Sequence, residues 1–306
     1  MARGMESVDK KPVVSIWCLV YNHEPFLRQC LDGFVMQQTN FRFEAVVHDD
    51  VSADGSADII REYAARYPDI IKPIFEKNNQ YSKKDGSLER IMIAACTGKY
   101  IALCEGDDFW IDSHKLQRQV DFLEANPGYS MCFHNAIEHL EDGSNQDKLF
   151  SNVNNQDYTG EYIYEKWIIP TASVVLCRDV FISEYYANLM VNPNFCFGDI
   201  LLFISAAKMG KLRGMDFVGS VYRRQQNGMV FNTSDIKFFF HNLEIFKVIG
   251  GGYKEHARRL FFDYGIPLFF NLDDKKTKRI IIKNCFKANP IKAMWGFIKY
   301  GFNKMF

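Results

Sequence analysis

Residues 98–110 form the sequence Gly98-Lys99-Tyr100-Ile101-Ala102-Leu103-Cys104-Glu105-Gly106-Asp107-Asp108-Phe109-Trp110, in which a short apolar run leads directly into an acidic cluster. The run has the length and residue types of a buried strand. Three carboxylates within four residues repel one another unless a cation or strong donors neutralise them. The stretch therefore predicts a strand that ends in a divalent cation site, the alternative being a solvated turn before the next helix.

Short β-rich runs alternate with amphipathic helical runs from Pro12 to about Ala136. This alternation is typical of α/β proteins, in which a mostly parallel sheet is flanked by helices. The predicted strands are residues 13–20, 43–48, 70–75, 99–104 and 129–134, and the predicted helices are residues 24–37, 56–67, 87–96 and 113–125. Because ligands of such sheets gather beyond the carboxyl ends of the strands, we expect the acidic cluster to lie near the end of the second strand.

The pattern is less regular after residue 137. A polar stretch at residues 141–157 indicates an excursion from the sheet. Helices are predicted at about residues 162–168, 180–190 and 199–209, strands at 173–177 and 217–223, and helix throughout from residue 235. We expect a disordered N-terminus at residues 1–11, one domain at 12–234 and a helical C-terminal region at 235–306.

The composition is that of an ordinary globular protein. With 306 residues, 47% of them hydrophobic, and a formal net charge of zero, the chain can bury a core and has no global field that would attract nucleic acid. Eight cysteines without a C-x-x-C pair predict reduced core thiols in a cytoplasmic protein. We expect neither a signal peptide nor a membrane-spanning helix, since no apolar stretch is long enough.

The C-terminal stretch is basic and rich in aromatic residues. After Asp274 the chain carries nine lysines and arginines and no acidic residue. A helix of this composition resembles an interfacial anchor on an anionic leaflet, such as the inner face of the plasma membrane. The alternative for residues 275–306 is a helix that packs on the preceding domain with its lysines in solvent.

Polar and aromatic residues stand at three further predicted strand or helix ends. Tyr21, after the first strand, could stack on a nucleobase or simply close the core. Asp49 and Asp50 end the second strand, and Asp50 could accept the imide N–H of a uracil or thymine ring. Asp199 precedes an apolar helix, where it is either the N-cap or a partly desolvated general base.

Together these residues resemble family 2 of the glycosyltransferases, the GT-A fold enzymes of bacterial polysaccharide assembly. The resemblance is strong from about residue 12 to 135 and weaker to residue 223. The family's Tyr-Asn pair is matched by Tyr21-Asn22, its Asp-Asp-Gly-Ser-x-Asp-Gly-Ser/Thr segment by Asp49 to Ser56 with Val51 replacing Gly, and its D-x-D signature by Glu105 to Asp108 with Glu as the first acid. Residues 78–83 and 98–110 are similar to a subgroup common in capsule and lipopolysaccharide gene clusters.

The resemblance implies a Rossmann-like GT-A domain with a C-terminal helical extension. Within it, residues 12–136 would bind a nucleotide and residues 137–234 an acceptor. The implied roles are base binding by Asp50, Mn²⁺ or Mg²⁺ binding by Asp108 with Asp107 as a partner toward metal or ribose, phosphate contact by Arg223, and general-base catalysis by Asp199. The His that many relatives carry after the Tyr-Arg pair is Gln225 here, which argues against a metal ligand from that segment.

The sequence therefore predicts a metal-dependent, inverting glycosyltransferase. Its donor would be a nucleotide-sugar, UDP-linked, and its acceptor a hydroxyl of a glycan or lipid-linked glycan in bacterial surface polysaccharide synthesis. A sugar-phosphate nucleotidyltransferase is one alternative, although the Gly-rich basic loop expected after its first strand is missing from residues 20–25. An inactive nucleotide-sugar-binding scaffold is another, since Glu105 and Gln225 both depart from the family pattern.

Overall fold

The five strands predicted between residues 13 and 134 belong to a mixed sheet that has ten strands in the described part of the chain. The computed structural model describes residues 11–141, 147–224 and 234–305, with side chains to residue 302. The strands are β1 (Val14–Val20), β2 (Phe43–Asp49), β3 (Ile71–Phe75), β4 (Tyr100–Leu103), β5 (Phe109–Trp110), β6 (Tyr129–Leu140), β7 (Lys148–Leu149), β8 (Asp157–Tyr158), β9 (Val175–Cys177) and β10 (Lys211–Arg224). In the described part the strand order is β3-β2-β1-β4-β9-β6-β10-β5, with β7 on β6 and β8 on β10.

Four parallel strands, β3, β2, β1 and β4, carry the N-terminal half of the sheet. In the registers, Val20 of β1 lies opposite Asp49 of β2, and Trp17 lies opposite Leu103 of β4. The sequence suggested that the acidic cluster after β4 lies beside the end of β2. The two are not directly adjacent, because β1 lies between β2 and β4. Two interstrand spacings separate the ends of β2 and β4, about 10 Å.

The second half of the sheet mixes strand directions. β9 runs antiparallel to both β4 and β6, β10 runs parallel to β6, and β5 pairs antiparallel with β10. The predicted excursion at residues 141–157 is wrong in part, because β7 and β8 return to the sheet, while residues 142–146 lie outside the described part. β10 is longer than predicted, because Lys211 to Met215 also pair with β6, and Leu212 and Arg213 pair with β8 as well.

Amphipathic helices cover the parallel strands at nearly the predicted bounds. The first-unit helices are α1 (Glu24–Val35), α2 (Ser56–Arg66), α3 (Ser87–Ala95), α4 (Lys115–Ala125), α5 (Gly160–Lys166) and α6 (Glu184–Met190), followed by α7 (Gly198–Met209). α1 lies close to β5 because Gly33 has no side chain, and a Cβ there would come within 2.9 Å of the Trp110 nitrogen. All eight cysteines are free thiols and six of them are buried, as their apolar surroundings predicted.

The chain separates into two compact units, with the changes between them after Val191, Leu201 and Gln225. The C-terminal unit is helical, as predicted, and contains α8 (Asp235–Glu244) with a π-helical turn (Ile245–Ile249), α9 (Tyr253–Asn271), α10 (Lys275–Ala288) and α11 (Pro290–Met305). Its core includes the buried side chains of Phe239, Leu243, Phe261, Ile281, Cys285 and Ala293. No described helix is both long and apolar enough to cross a bilayer. The functional limits at residues 136 and 234 stay predictions, and residues 1–10 lie outside the described part.

Candidate functional site

The loops after β1 and β2 are held together by reciprocal hydrogen bonds. Asn22, at a positive φ of 57°, donates its main-chain N–H to Ser52 Oγ (2.9 Å), and its Oδ1 accepts from Ala53 N (2.7 Å). Asp54 Oδ2 accepts from the N–H of Glu24, and Glu24 Oε2 accepts from Gly55 N. The loop after β2 therefore satisfies the N–H of Glu24, at the start of helix α1, through Asp54.

Tyr21 is presented to solvent by this locked turn. Its side chain is 53% exposed, although it directly follows the buried strand β1. An exposed ring at this position does not close the core, so the alternative role considered for Tyr21 is wrong. A flat apolar ring at the carboxyl edge of a parallel sheet offers a stacking surface.

Asp50 is buried at the end of β2 and anchors the loop after β3. Its two carboxylate oxygens accept hydrogen bonds from Gln80 N (2.6 Å) and Tyr81 N (3.0 Å), and Asn79 Nδ2 donates to its main-chain oxygen (2.9 Å). The loop after β3 thus holds Asp50 in place through Asn79, Gln80 and Tyr81. Each carboxylate oxygen has a second lone pair, so Asp50 retains acceptor capacity for a ring N–H.

The turn after Asp50 contains a strained residue. Val51 adopts φ 68°, in the left-handed region that costs a residue with a side chain about 1–2 kcal/mol. Beside it, buried Asp49 uses Oδ2 to accept from Ser52 N (3.3 Å), while its buried Oδ1 has no hydrogen-bond partner among the described residues. Strain and an unsatisfied acceptor in one turn are typical of functional loops.

The acidic loop continues along β1 beyond the end of β4. Cys104 N donates to Trp17 O (3.1 Å) and Gly106 N donates to Leu19 O (3.0 Å). Gly106 is required for this close approach, because a Cβ would lie 2.8 Å from His23 Nδ1. The loop thus holds its carboxylates beside the turn that carries Tyr21.

Asp108 is the buried member of the acidic pair. Its Oδ1 accepts a 2.8 Å hydrogen bond from the main-chain N–H of Arg223 on β10. Burial, and then the charge of Asp107, raise the pKa of Asp108 well above its ordinary range, and the Arg223 amide opposes this only in part. A cation bound nearby would lower that pKa and remove the repulsion.

The Arg223 side chain secures the same loop from the opposite side. Its Nη1 donates to Asp107 O (2.7 Å), its Nη2 to Gln29 Oε1, and its Nε pairs with Glu141 (2.7 Å). The guanidinium also lies over the Phe109 ring, 4.4 Å from the centroid. The sequence pointed to phosphate contact and did not reveal this loop-holding role. Within the part of the chain that the structure describes, these contacts use three of the five guanidinium N–H groups.

His23 is a site residue that the sequence reasoning missed. Its Nε2 lies 4.0 Å from Asp107 Oδ2, and its buried Nδ1 has no hydrogen-bond partner among the described residues. The available signal was its position directly after Tyr21-Asn22. The imidazole thus lies at the edge of the acidic loop, beside Asp107.

The carboxylates fit a cation that is held partly by substrate. Within the described ranges, no three His, Cys, Asp or Glu side chains converge to hold a metal ion by themselves. Mg²⁺ and Mn²⁺ bind oxygen ligands, and Mg²⁺ commonly takes one or two carboxylates and completes its shell with water and substrate phosphates. Asp107 and Asp108 can supply that minimal set.

Asp199 belongs to the C-terminal unit and lies in the first turn of α7. The helix begins at Gly198, so the N-cap role considered for Asp199 is wrong. The half-buried carboxylate accepts from Ile200 N (2.8 Å) through Oδ1. Loss of hydration raises the pKa of Asp199, against the opposing effect of that hydrogen bond. A carboxylate with a raised pKa is a better proton acceptor.

The segment before Asp199 is fixed by His241 of α8, which the sequence did not single out. Cys196 N donates to His241 Nδ1 (3.3 Å), and the rings of Phe195 and Phe197 pack edge-on against the imidazole, at 5.6 and 5.1 Å. Burial lowers the pKa of His241 to about 3, which keeps Nδ1 available as an acceptor. The helical unit therefore positions the turn that carries Asp199.

Comparison with known proteins places this arrangement in a family. A protein of Mycobacterium tuberculosis without a characterised function is 34% identical over 219 residues, which are 71% of this chain and 60% of that protein. The putative teichuronic acid biosynthesis glycosyltransferase TuaG of Bacillus subtilis is 24% identical over 226 residues, 72% of this chain and 83% of TuaG. The match spans less than two thirds of the mycobacterial relative.

The predicted GT-A fold is confirmed by structural similarity. S. aureus TarS 1–349, solved in complex with UDP, has a TM-score of 0.58 at 14% identity, over 92% of this chain and 82% of that chain. The family model described as glycosyl transferase family 2 matches residues 15–182. Since that match covers more than half of the chain and includes the loops after β1, β2 and β4, the chain belongs to glycosyl transferase family 2.

Proposed function

We propose that the chain binds a nucleotide-sugar across the carboxyl ends of β2, β1 and β4. The base would stack on Tyr21 and donate its imide N–H to Asp50, a pairing that favours uracil. The strand spacing supports this proposal, because about 10 Å separates the end of β2 from the end of β4. The diphosphate would then lie over Asp107 and Asp108, with Arg223 holding the loop and offering its remaining donors.

The acidic pair is proposed to hold Mn²⁺ or Mg²⁺ together with the donor diphosphate. When bound there, the ion would neutralise charge on the departing diphosphate. Asp108 would supply the main ligand, and Asp107 would contact the metal or the ribose. The raised pKa of Asp108 supports this assignment, since burial and then the charge of Asp107 disfavour its ionised form, which a bound cation would stabilise.

Asp199 is proposed to be the general base of an inverting transfer. Its carboxylate would take the proton of an acceptor hydroxyl while the hydroxyl oxygen bonds to the anomeric carbon of the donor sugar. The bond between that carbon and the phosphate oxygen would break, and its electron pair would leave with the nucleoside diphosphate. The raised pKa of Asp199 and its fixed turn support this role.

The acceptor is proposed to be a glycan or lipid-linked glycan of a bacterial surface polysaccharide. The name of TuaG supports the polysaccharide class. We propose a cytoplasmic enzyme that acts peripherally at the inner face of the plasma membrane, where a lipid-linked acceptor would be available.

The pair of buried carboxylates at the ends of β2 and β4, Asp50 and Asp108, carries the proposal. The test is release of nucleoside diphosphate from a panel of UDP-, GDP- and dTDP-sugars with Mn²⁺ and simple glycan acceptors. Asp108→Asn should lose both turnover and metal-dependent nucleotide binding. Asp199→Asn should lose transfer while calorimetry still detects UDP binding. Asp58→Asn, at an exposed position on α2, is the matched control and should retain both.

Three outcomes would contradict parts of this proposal. Full transfer by Asp199→Asn would reject the base assignment. Tight UDP binding without turnover of any donor would favour an inactive binder. Release of pyrophosphate from a nucleoside triphosphate and a sugar phosphate would favour a nucleotidyltransferase.

A further inference from the structure

Helix α11 has two apolar faces, of which only one packs inside its unit. On the inner face Ala293 is fully buried, and Phe297 and Tyr300 pack against the helical core. Phe297 contacts the Phe269 ring (5.1 Å), and Tyr300 contacts the Phe270 ring (5.3 Å). The helix therefore packs within its own unit, whereas packing on the preceding domain, the alternative considered for residues 275–306, stays a prediction.

The second apolar face of α11 points into solvent and is called here the outer stripe. Its five residues have exposed fractions between 42% and 68%; they are Ile291, Met294, Trp295, Ile298 and Phe302. At about 100° per residue, the spacing i, i+3, i+4, i+7 and i+11 confines them to a stripe about 100° wide. Because the core already uses the inner face, the fold of the unit does not require the outer stripe to be apolar.

Basic residues border the outer stripe. Lys292 and Lys299 are exposed and lie on its flank, about 40–60° from its edge by helical spacing. Exposed Lys283 and Lys287 extend the basic surface along α10. The segment after Asp274 has nine basic residues and no acid, while the preceding 274 residues carry nine more acidic than basic residues, since the whole chain is neutral. Lys292 lies 3.6 Å from Glu255 of α9 in an exposed ion pair, which is weak in solvent and leaves the lysine accessible to headgroups.

We propose that the outer stripe docks on an anionic lipid surface, with the stripe in the headgroup and acyl boundary and the lysines against the headgroups. Large apolar side chains with Trp among them and Lys alongside are the residues that such an interface accepts. A second copy of the chain fits less well, because a symmetric contact through the stripe would bring two wholly basic segments together. The inference deepens the proposed peripheral location, but does not depend on the donor or catalytic assignments.

Trp295 provides a direct readout of docking. Trp17 and Trp110 are buried, so a Trp167→Phe background leaves Trp295 as the exposed tryptophan. With vesicles containing 30% phosphatidylglycerol in phosphatidylcholine, its emission should shift to the blue and the protein should co-sediment. Pure phosphatidylcholine vesicles should bind much less, and raised salt should release the protein from the anionic vesicles.

Substitutions separate the apolar and the charged contributions. Ile298→Asp should abolish co-sedimentation. Val248→Asp, at a somewhat more exposed apolar position of the same unit outside the stripe (54%, against 42% for Ile298), should bind normally. Lys292→Gln and Lys299→Gln should each weaken binding to the anionic vesicles roughly fivefold at low salt. Circular dichroism and thermal melting check that each variant is folded.

Two results would overturn the proposal. One is equal binding, or none, for the two vesicle compositions. The other is a dimer in light scattering that Ile298→Asp converts to a monomer without any vesicle binding, which would assign the stripe to a second copy. Neither result bears on nucleotide binding or sugar transfer, so the proposed function can fail or stand separately.

Discussion

The main-chain N–H of Arg223 donates a 2.8 Å hydrogen bond to the buried carboxylate of Asp108, 115 residues earlier in the chain. This bond connects the acidic loop after β4 with the end of β10. The Arg223 guanidinium strengthens the same connection by donating to the main-chain oxygen of Asp107. The position of the proposed metal ligands therefore depends on a strand from the far half of the sheet.

Arg223→Lys should destabilise the protein and weaken nucleotide binding. Lysine cannot reproduce the fork that reaches Gln29, Glu141 and Asp107, nor the stacking on Phe109. We expect a loss of about 1–3 kcal/mol in the free energy of unfolding, because Arg223 is itself buried and a lysine ammonium there would make fewer of these hydrogen bonds. Denaturant titration and UDP calorimetry with Mn²⁺ measure the two effects.

The control for this change is Arg224→Lys. Arg224 is the next residue and more exposed, and its side chain pairs with Glu138 (2.9 Å). Glu138 is buried but also pairs with Lys148 (3.1 Å), and Lys at position 224 keeps the positive charge, so this variant should remain near the wild type. Equal effects of the two substitutions would argue against the role given to Arg223.

Val51→Gly should stabilise the fold. Glycine removes about 1–2 kcal/mol of strain at the positive φ of residue 51, and it adds roughly 0.5–1 kcal/mol of chain entropy to the unfolded state. The net expectation is a gain of up to about 1 kcal/mol, measured as a higher denaturation midpoint. Val51→Ala keeps the strained φ and should gain less, and a Gly variant less stable than the wild type would contradict the strain argument.

The burial of Lys115 predicts that the free energy of unfolding gains a contribution that rises with pH just above neutrality. The side chain is fully buried, donates to Gln119 Oε1 (2.8 Å), and lies 4.1 Å from the Trp110 ring centroid. Burial lowers the pKa of Lys115 to about 7. Above that pH the unfolded lysine binds more protons than the folded one, so stability increases with pH, by at most about 1.4 kcal/mol per unit.

The measurement is the free energy of unfolding between pH 7 and 8.5, taken as the difference between the wild type and Lys115→Met, because ionisation of the unfolded thiols begins within this range and opposes the trend equally in both proteins. Burial raises the pKa of Cys132 to about 12, and such thiols lower stability once the unfolded thiols ionise. Lys115→Met should show a flatter profile than the wild type in this window. Parallel profiles would mean that Lys115 keeps its proton in the folded protein.

His241 predicts a loss of stability in mild acid. The folded protein needs a neutral imidazole, since Nδ1 accepts from Cys196 N. With the pKa of His241 lowered to about 3, its contribution is complete above about pH 6.5 and declines as the pH falls toward 3. His241→Gln can still accept from the Cys196 amide but binds no proton. As the pH falls from 6 to 4, the free energy of unfolding of the wild type should therefore decrease by up to about 1.4 kcal/mol per pH unit more than that of the variant.

Thermal melts in that range test the expectation. His134 is also buried, and burial lowers its pKa, so it should leave a residual acid sensitivity in the His241 variant. His139 is exposed and paired with Asp147, so His139→Gln is a suitable control. An unchanged acid profile for His241→Gln would show that another group controls acid unfolding.

Local pattern predicted most of the first 136 residues correctly. The helices at Glu24–Val35 and Ser56–Arg66 and the strands at Val14–Val20 and Phe43–Asp49 differ from their predicted bounds by one or two residues. Their signal is local, since hydrophobic periodicity and flanking polar residues lie within the element itself. The short strands Phe109–Trp110 and Lys148–Leu149 carry no such signal, because pairing with distant residues creates them.

The alternation of strands and helices, and with it the placement of Tyr21, Asp50 and Asp108 at strand ends, follows from local residue patterns. The basic, amphipathic character of the last helices follows from the same patterns. Three relationships became visible only in the folded chain: Arg223 secures the acidic loop, His241 secures the turn before Asp199, and α11 keeps a second apolar face in solvent. These relationships join residues far apart in the chain, and contacts of that kind follow from packing and burial rather than from any periodicity in the sequence.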